Sequence, residues 1–202
     1  MTTSTTYPNG QVLVSSALTI PQANVLLQIL TCGMIGVNPP DFSKVRIDWP
    51  TQGQPFANVA ADICYLACLP EEGEYNKVRD LQTDDGPTGK VTETWTFTKI
   101  WRMSWTFYGP QSTANASAVR DALFQDYFND QLSISNLFPV SNPSEVTRVP
   151  EQFNAQWWER ADYHITMYES VTQTIQSNVV LSVENKINTA DGLVADFTVT
   201  KP

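Results

Sequence analysis

Histidine is almost missing from this chain, and that scarcity removes a large part of enzymology. The single histidine is His164. A nucleophile–histidine–acid relay needs a serine or cysteine beside it, but its same-face strand neighbours are Asp162 and Thr166. No G-x-S-x-G elbow, no G-x-x-x-x-G-K-[ST] phosphate loop and no G-x-G-x-x-G turn occurs. His164 therefore reads as an ordinary surface or core histidine. Cysteine is scarce too: Cys32, Cys64 and Cys68. An odd number at wide spacing does not suggest a disulfide framework. Cys64 and Cys68 share a strand face but lie about 13 Å apart by strand rise. That is too far for a disulfide or a common metal. The three read as small buried hydrophobes in a reducing cytosol. One histidine and dispersed cysteines build no metal set, and no cofactor is expected; a carboxylate-only site stays open.

Basic residues are also few. Twelve Lys and Arg against 21 Asp and Glu leave a net charge of −9. A basic footprint for nucleic acid is absent, and an acidic surface repels DNA and anionic membranes at long range. Long apolar runs are missing as well. The longest, near residues 25–37, is broken by Gln28, Thr31 and two glycines, too short to cross a bilayer. The first residues show no basic-then-apolar signal.

What is present is aromatic strand. Residues 91–110, VTETWTFTKIWRMSWTFYGP, alternate with a period of two. Val91, Trp95, Phe97, Trp101, Met103, Trp105 and Phe107 fall on one face, with Glu93 and Lys99 among them. Hydroxyls dominate the other face. Thr, Trp, Phe and Tyr favour strands. Eighteen residues would span roughly 60 Å, well beyond an ordinary strand. Either a bulge near Lys99–Ile100 breaks it or half of it overhangs as one arm of a hairpin. Gly109-Pro110 stops it.

The rest of the chain is ordinary by comparison. With 42% hydrophobic residues it can bury a core. Residues 1–19 read as a mobile tail holding one short apolar stretch, Val12-Leu13-Val14. Residues 20–37 form a helix with Pro21 in its first turn and a stripe of Val25, Leu26, Ile29, Leu30 and Gly33. Residues 44–49 alternate as a half-buried strand with Val45, Ile47 and Trp49 inward. Residues 62–69 are apolar on both faces and suit the centre of a sheet. Residues 70–90 form a polar connection with three net negative charges, six acids against three bases. Residues 112–130 form a second helix with Val119, Leu123, Phe124, Tyr127 and Phe128 on its stripe. Residues 136–150 are a loop. Residues 157–171 alternate with Trp157, Ala161, Tyr163, Ile165 and Met167 inward. Residues 175–187 (Val179, Leu181 and Val183 inward) and 193–199 follow as strands.

This order predicts an α+β fold: a mostly antiparallel sheet of four to six strands, two main helices packed on it, and a long hairpin projecting over residues 70–98. The domain would occupy residues 20–187, with 188–202 as a C-terminal strand extension. Trp105 and Trp157 are expected in the sheet–helix core, with Trp49, Tyr108 and Trp158 also structural. Six tryptophans could instead stack on carbohydrate. The carboxylates give that reading little: Asp84-Asp85 sits in a turn, and Glu159 and Asp162 point to opposite faces.

Three segments carry a family likeness: WTFYGP at residues 105–110, RVPE at 148–151 and QWWERAD at 156–162, with RIDWP at 46–50 upstream. Together they resemble the neck or tail terminator proteins of tailed bacteriophages, over about residues 20–185. The resemblance implies a non-enzymatic virion protein assembled in the host cytoplasm. It implies a ring, usually of six subunits, that caps the tail tube at the head–tail junction. Its partners would be the tail tube protein and a head–tail stopper or connector, with the tail sheath a further candidate. The genome would pass through without specific binding, and no membrane is involved. The nearest alternative is another connector ring or a tube subunit; outside that class stands a carbohydrate-binding or carbohydrate-processing protein. The expected contact residues are Glu71, Glu72, Glu74, Asp84, Asp85, Trp95 and Phe97 on the hairpin, and Arg160, which should also pair with a carboxylate.

Overall fold

The computed structural model describes residues 2–8, 11–47, 58–85, 90–153, 155–178, 182–189 and 192–200. The fold is α+β. Its main sheet has nine strands among the described residues, in the hydrogen-bonded order β1 (Thr3–Thr6), β2 (Val12–Ser15), β11 (Arg160–Asn178), β6 (Lys90–Tyr108), β4 (Ile63–Glu71) and β3 (Val45–Ile47). Strand β5 (Arg79–Asp85) adds to β6, and β7 (Leu137–Pro139) and β8 (Thr147–Arg148) add to β11. Of the described registers only β3 with β4 is parallel. Two separate two-stranded pairs, β9 (Glu151–Phe153) with β10 (Gln156–Trp158) and β12 (Ser182–Thr189) with β13 (Gly192–Thr200), complete the strands.

The sheet is larger than the four to six strands expected, because three stretches read as loop or tail hold strands. The polar connection at 70–90 holds a 3₁₀ turn, Glu74–Lys77, and then β5. Short polar strands lack the apolar alternation by which strands are recognised. The loop at 136–150 likewise holds β7 and β8, and the N-terminal tail holds β1 and β2. Strand β6 runs unbroken for 19 residues. Its register with β4 is continuous from Ile63–Tyr108 to Glu71–Ile100, so no bulge divides that stretch. Strand β11 extends to Asn178 and β12 starts at Ser182, whereas one strand was expected over 175–187. Val179 and Leu181 lie outside the described residues.

Three α-helices occur among the described residues: α1 (Ile20–Met34), α2 (Ser112–Ala122) and α3 (Asp126–Ser133). Helix α1 has well-defined ends. Thr19 and Gln22 form a reciprocal capping box with proline in the first turn. At the other end Gly36 (φ +74°) donates to Gly33, and Val37 donates to the Cys32 carbonyl at 2.8 Å. This is a Schellman stop, which needs a residue in the left-handed region and so favours glycine. The buried side of α1 includes Ala23, Leu27, Leu30, Thr31 and Met34, so the expected stripe holds in part: Leu30 is buried and Leu26 packs on the core, but Val25 is 48% and Ile29 44% exposed. The expected second helix is two. Gln125 takes extended backbone between α2 and α3, and no glycine or proline marks the break. Phe124 and Tyr127, expected inward, are exposed; Val119 and Leu123 are buried, and Phe128 packs on the core.

The chain divides into two compact units. The first holds residues 17–79 and 97–171. Its core forms where Trp101, Met103, Trp105 and Phe107 of β6, and Ala161, Tyr163, Ile165 and Met167 of β11, meet Leu27 and Leu30 of α1 and Val119 of α2. Thr31 of α1 accepts the Trp105 indole N–H at 2.9 Å, and Tyr163 stacks on the same ring at 5.5 Å. Cys32, Cys64 and Cys68 are buried free thiols, as expected. Burial pushes the Cys68 thiol up to about 12. The second unit holds residues 2–16, 80–96 and 172–202. In it β2 pairs with the last part of β11, from Ser15–Gln173 to Val12–Gln176, and Thr94 and Thr174 hydroxyls meet at 3.5 Å.

Candidate functional site

The segments that carried the likeness are far apart in sequence and converge in the first unit. Strand alternation puts Tyr108 on the face of β6 opposite the core. Its hydroxyl donates to Glu151 Oε2 at 3.0 Å. Arg160 donates to the same oxygen at 2.9 Å and forks onto both Asp162 oxygens at 2.9 Å. Arg148 forms a second fork on Glu159, at 2.6 to 3.0 Å. Trp158 lies edge-on to Tyr108, ring centroids 6.2 Å apart, and Tyr65 does so from β4 at 6.0 Å. Burial raises the Tyr108 hydroxyl to about 12, with Arg160 opposing and Glu151 adding to the rise. The Asp162 carboxylate raises the Arg160 guanidinium further still. Arg160 thus has the carboxylate partner expected of it.

Gly109 makes the junction possible. Its φ is +104°, and a Cβ there would stand 2.6 Å from both the Ala61 carbonyl oxygen and Asp62 Oδ1. Its N–H donates to the Glu159 carbonyl at 3.1 Å, and Val149 N–H donates to the Arg160 carbonyl at 2.9 Å. The Asp62 carboxylate then accepts Gln111 N–H at 2.8 Å, ahead of α2. The result is a hydrogen-bonded platform that joins β9 and the start of β11 to the end of β6. Among the described residues no three His, Cys, Asp or Glu side chains gather as metal ligands. His164 is exposed, and its carbonyl accepts the Ser144 hydroxyl.

One placement reverses the expectation. Trp157, expected in the core with Trp105, is 68% exposed, and its neighbour Trp158 is 6% exposed. The alternation read across residues 157–167 is interrupted: β10 ends at Trp158, β11 starts at Arg160, and Glu159 between them belongs to neither. The intervening residue shifts the phase by one. Trp105 is 1% exposed, as expected, and Tyr108 is half-buried. Trp49 lies outside the described residues. On the expected hairpin, Glu72, Glu74 and Asp84 are exposed and Glu71 is half-buried; the side chain of Asp85 is outside the described residues. Trp95 and Phe97, expected exposed, are half-buried, and the Arg79 guanidinium sits 4.6 Å over the Phe97 ring. Glu71, Glu72 and Glu74 fall in the first unit and Asp84 in the second.

A buried polar cluster went unread in the sequence. Glu169 is fully buried on the inward face of β11. It accepts Leu18 N–H at 2.5 Å and the Trp101 indole N–H at 2.7 Å, and Lys99 Nζ stands 3.8 Å away. Lys99 donates to the Leu18 carbonyl at 2.9 Å and lies 3.9 Å over the Trp101 ring. Burial lowers its ammonium, with Glu169 opposing. A signal did exist: Lys99 and Glu169 are opposite charges at inward positions of two long strands, where neither would stand unpaired.

A sequence profile of the phage neck terminator protein family matches residues 24–192. No curated protein matches the sequence. The matched range contains every residue of the Tyr108–Glu151–Arg160 platform and most of both units. The chain belongs to the phage neck terminator family, a structural family of the head–tail junction.

Proposed function

We propose that this chain forms a ring, six subunits around a channel, that ends the tail tube and joins it to the head-completion proteins while the genome passes through. The observation that carries this reading is the family match over residues 24–192. The charge supports it: a chain at −9 presents DNA with repulsion, which suits a conduit better than a binder, because counterion-release binding depends on Lys and Arg. The partners are the tail tube protein and a stopper or connector, with the tail sheath where there is one; the place of work is the virion. Negative-stain images of purified protein and of virion necks are expected to show single six-fold rings. Long tubes grown from the pure protein would point instead to a tube subunit. Monomers at every concentration, with no ring in virions, would overturn the ring.

Within this reading, residues 70–98 are an arm that contacts the tail or a neighbouring subunit. Its exposed acids Glu72, Glu74 and Asp84 would steer it toward basic groups. Tyr75 packs on Tyr168 and Asn76 bonds to both Glu71 and Ile100, so deleting the segment would also damage the first unit. Reversing the three acids to lysine is the cleaner test. Free tails and unjoined heads are expected; normal infectious particles would remove the arm from the interface.

A further inference from the structure

The main sheet ends at β1 on a bare edge. Strand β1 pairs with β2 on one side, and no described strand lies on its other side. Just beyond it, Tyr7 N–H donates to the Gln11 carbonyl at 2.8 Å. In the antiparallel register that continues from there, Thr5 and Thr3 turn their backbone groups toward β2, opposite Leu13 and Ser15. The N–H and C=O groups of Ser4 and Thr6 therefore point away from the sheet. Such an edge invites a further strand, and proteins ordinarily blunt it with charge, proline or a bulge. Strand β1 has none of these. Its sequence is TSTT, its four residues are exposed, and its register with β2 is continuous. Strand β5, added beside β6, carries Arg79, Asp80 and Asp84 by contrast.

The same unit holds a second open edge. Strands β12 and β13 pair only with each other among the described residues. A two-stranded pair alone is marginal in water and gains from a third strand. Of its two outer edges, β12 carries both Glu184 and Lys186. Strand β13, GLVADFTVT, carries Asp196 as its one charge in nine residues and is rich in strand-favouring types. It also runs on past residue 192, where the family match stops. Its nine residues are more than enough to cover the four of β1. Copies of a chain at −9 repel one another, so their contacts belong where charge is least. Strands β1 and β13 are different edges, so one copy can offer β13 to a neighbour while its own β1 receives another. That is a head-to-tail contact, the kind that closes into rings.

We infer that β13 of one copy adds to the β1 edge of the next, extending its sheet through backbone hydrogen bonds to Ser4 and Thr6. This rests on the ring reading and names its contact. The test uses the full chain: sedimentation velocity on wild type, Thr6→Pro and Thr6→Ala, and residue-resolved hydrogen exchange on wild type below and above its assembly concentration. Proline at position 6 removes an outward N–H and leaves the β1–β2 ladder whole, whereas alanine keeps that N–H. Near-ultraviolet circular dichroism checks that each variant is folded. Thr6→Pro should weaken assembly by about tenfold or more, and Thr6→Ala should stay within about threefold of wild type. The Ser4 and Thr6 amides should exchange freely in the monomer and be protected in the assembly. On β13 every second amide, bonded to β12, should be protected throughout, and the alternate ones only on assembly. Folded Thr6→Pro that assembles like wild type overturns the proposal and leaves the ring standing. An equal loss with Thr6→Ala would assign the effect to the side chain and overturn the backbone pairing. Should Thr6→Pro not fold, the wild-type exchange pattern decides alone. Protection gained at Ser4 and Thr6 but not on β13 overturns β13 as the added strand. Ser4 and Thr6 amides already protected in the monomer would mean that the edge is filled within one chain, which also overturns the contact. A wild type that is monomeric both in solution and in virions overturns the ring and this contact together.

Discussion

The indole N–H of Trp101 donates to the wholly buried carboxylate of Glu169 at 2.7 Å. The other Glu169 oxygen takes the Leu18 N–H, one residue before the cap of α1. The start of the first helix, the middle of β6 and the middle of β11 are therefore held by one side chain. Removing one member of a buried charged cluster leaves the rest desolvated and unpaired.

Glu169→Leu should accordingly cost about 3–5 kcal/mol in urea unfolding. Adding Lys99→Met should recover part of that loss, because the remaining ammonium no longer lacks its counter-charge. A double variant as unstable as the sum of the singles would mean the two charges act independently.

Two tryptophans should behave oppositely. Trp105, which is 1% exposed and bonded to Thr31, should cost about 3–5 kcal/mol when cut to alanine. Trp157, which is 68% exposed, should change monomer stability by about 0.5 kcal/mol or less. Chemical denaturation of the two variants under conditions that keep the chain monomeric measures both. Equal losses would contradict the phase shift at Glu159.

Arg160→Ala removes a fork on Asp162 and a bond to Glu151, and should destabilise by about 1.5–3 kcal/mol, the range for hydrogen bonds to charged groups. Lysine should restore only part, since one ammonium cannot reproduce the planar fork. Full rescue by lysine would reduce the interaction to simple charge.

Alkaline pH should unfold the chain. Tyr108 and Tyr163 titrate at about 12 in the fold against 10.0 ordinarily, and Cys68 at about 12 against 9.0, burial being the first cause in each. Folding thus favours the protonated forms, and the folded state holds more protons between the two values. Their contribution is fully present below pH 9, and stability then falls as pH rises toward 12. Lys99, lowered by burial, acts in the opposite sense below its ordinary 10.5. Thermal midpoints from pH 8 to 11.5 should decline, and Tyr163→Phe should flatten the decline. A midpoint that rises over this range would contradict the burial of these groups.

Much of the first unit was legible because its signals are local. Alternation placed Trp105, Met103 and Phe107 on one face of β6, and Ala161, Tyr163, Ile165 and Met167 on one face of β11; all are buried. Pro21 marked the first turn of α1. Arg160 beside Asp162 announced its own partner. A period of two or of 3.6 is set by backbone geometry and needs no knowledge of the neighbours.

Tertiary structure alone decided the rest. Which side of α1 faces inward depends on where β4 and β6 lie, so only Leu26 and Leu30 of its most apolar stripe meet the core while Val25 and Ile29 face out. Short polar strands such as β5 and β8 form because a long neighbour offers unpaired backbone groups, a cause outside their own sequence. One residue between strands, Glu159, exchanges the fates of Trp157 and Trp158, since side-chain direction reverses at every step. Glu169 is tolerated in the core only because Leu18, Lys99 and Trp101 arrive there from elsewhere in the chain. Periodicity is a property of a segment, whereas burial and pairing are properties of what that segment meets.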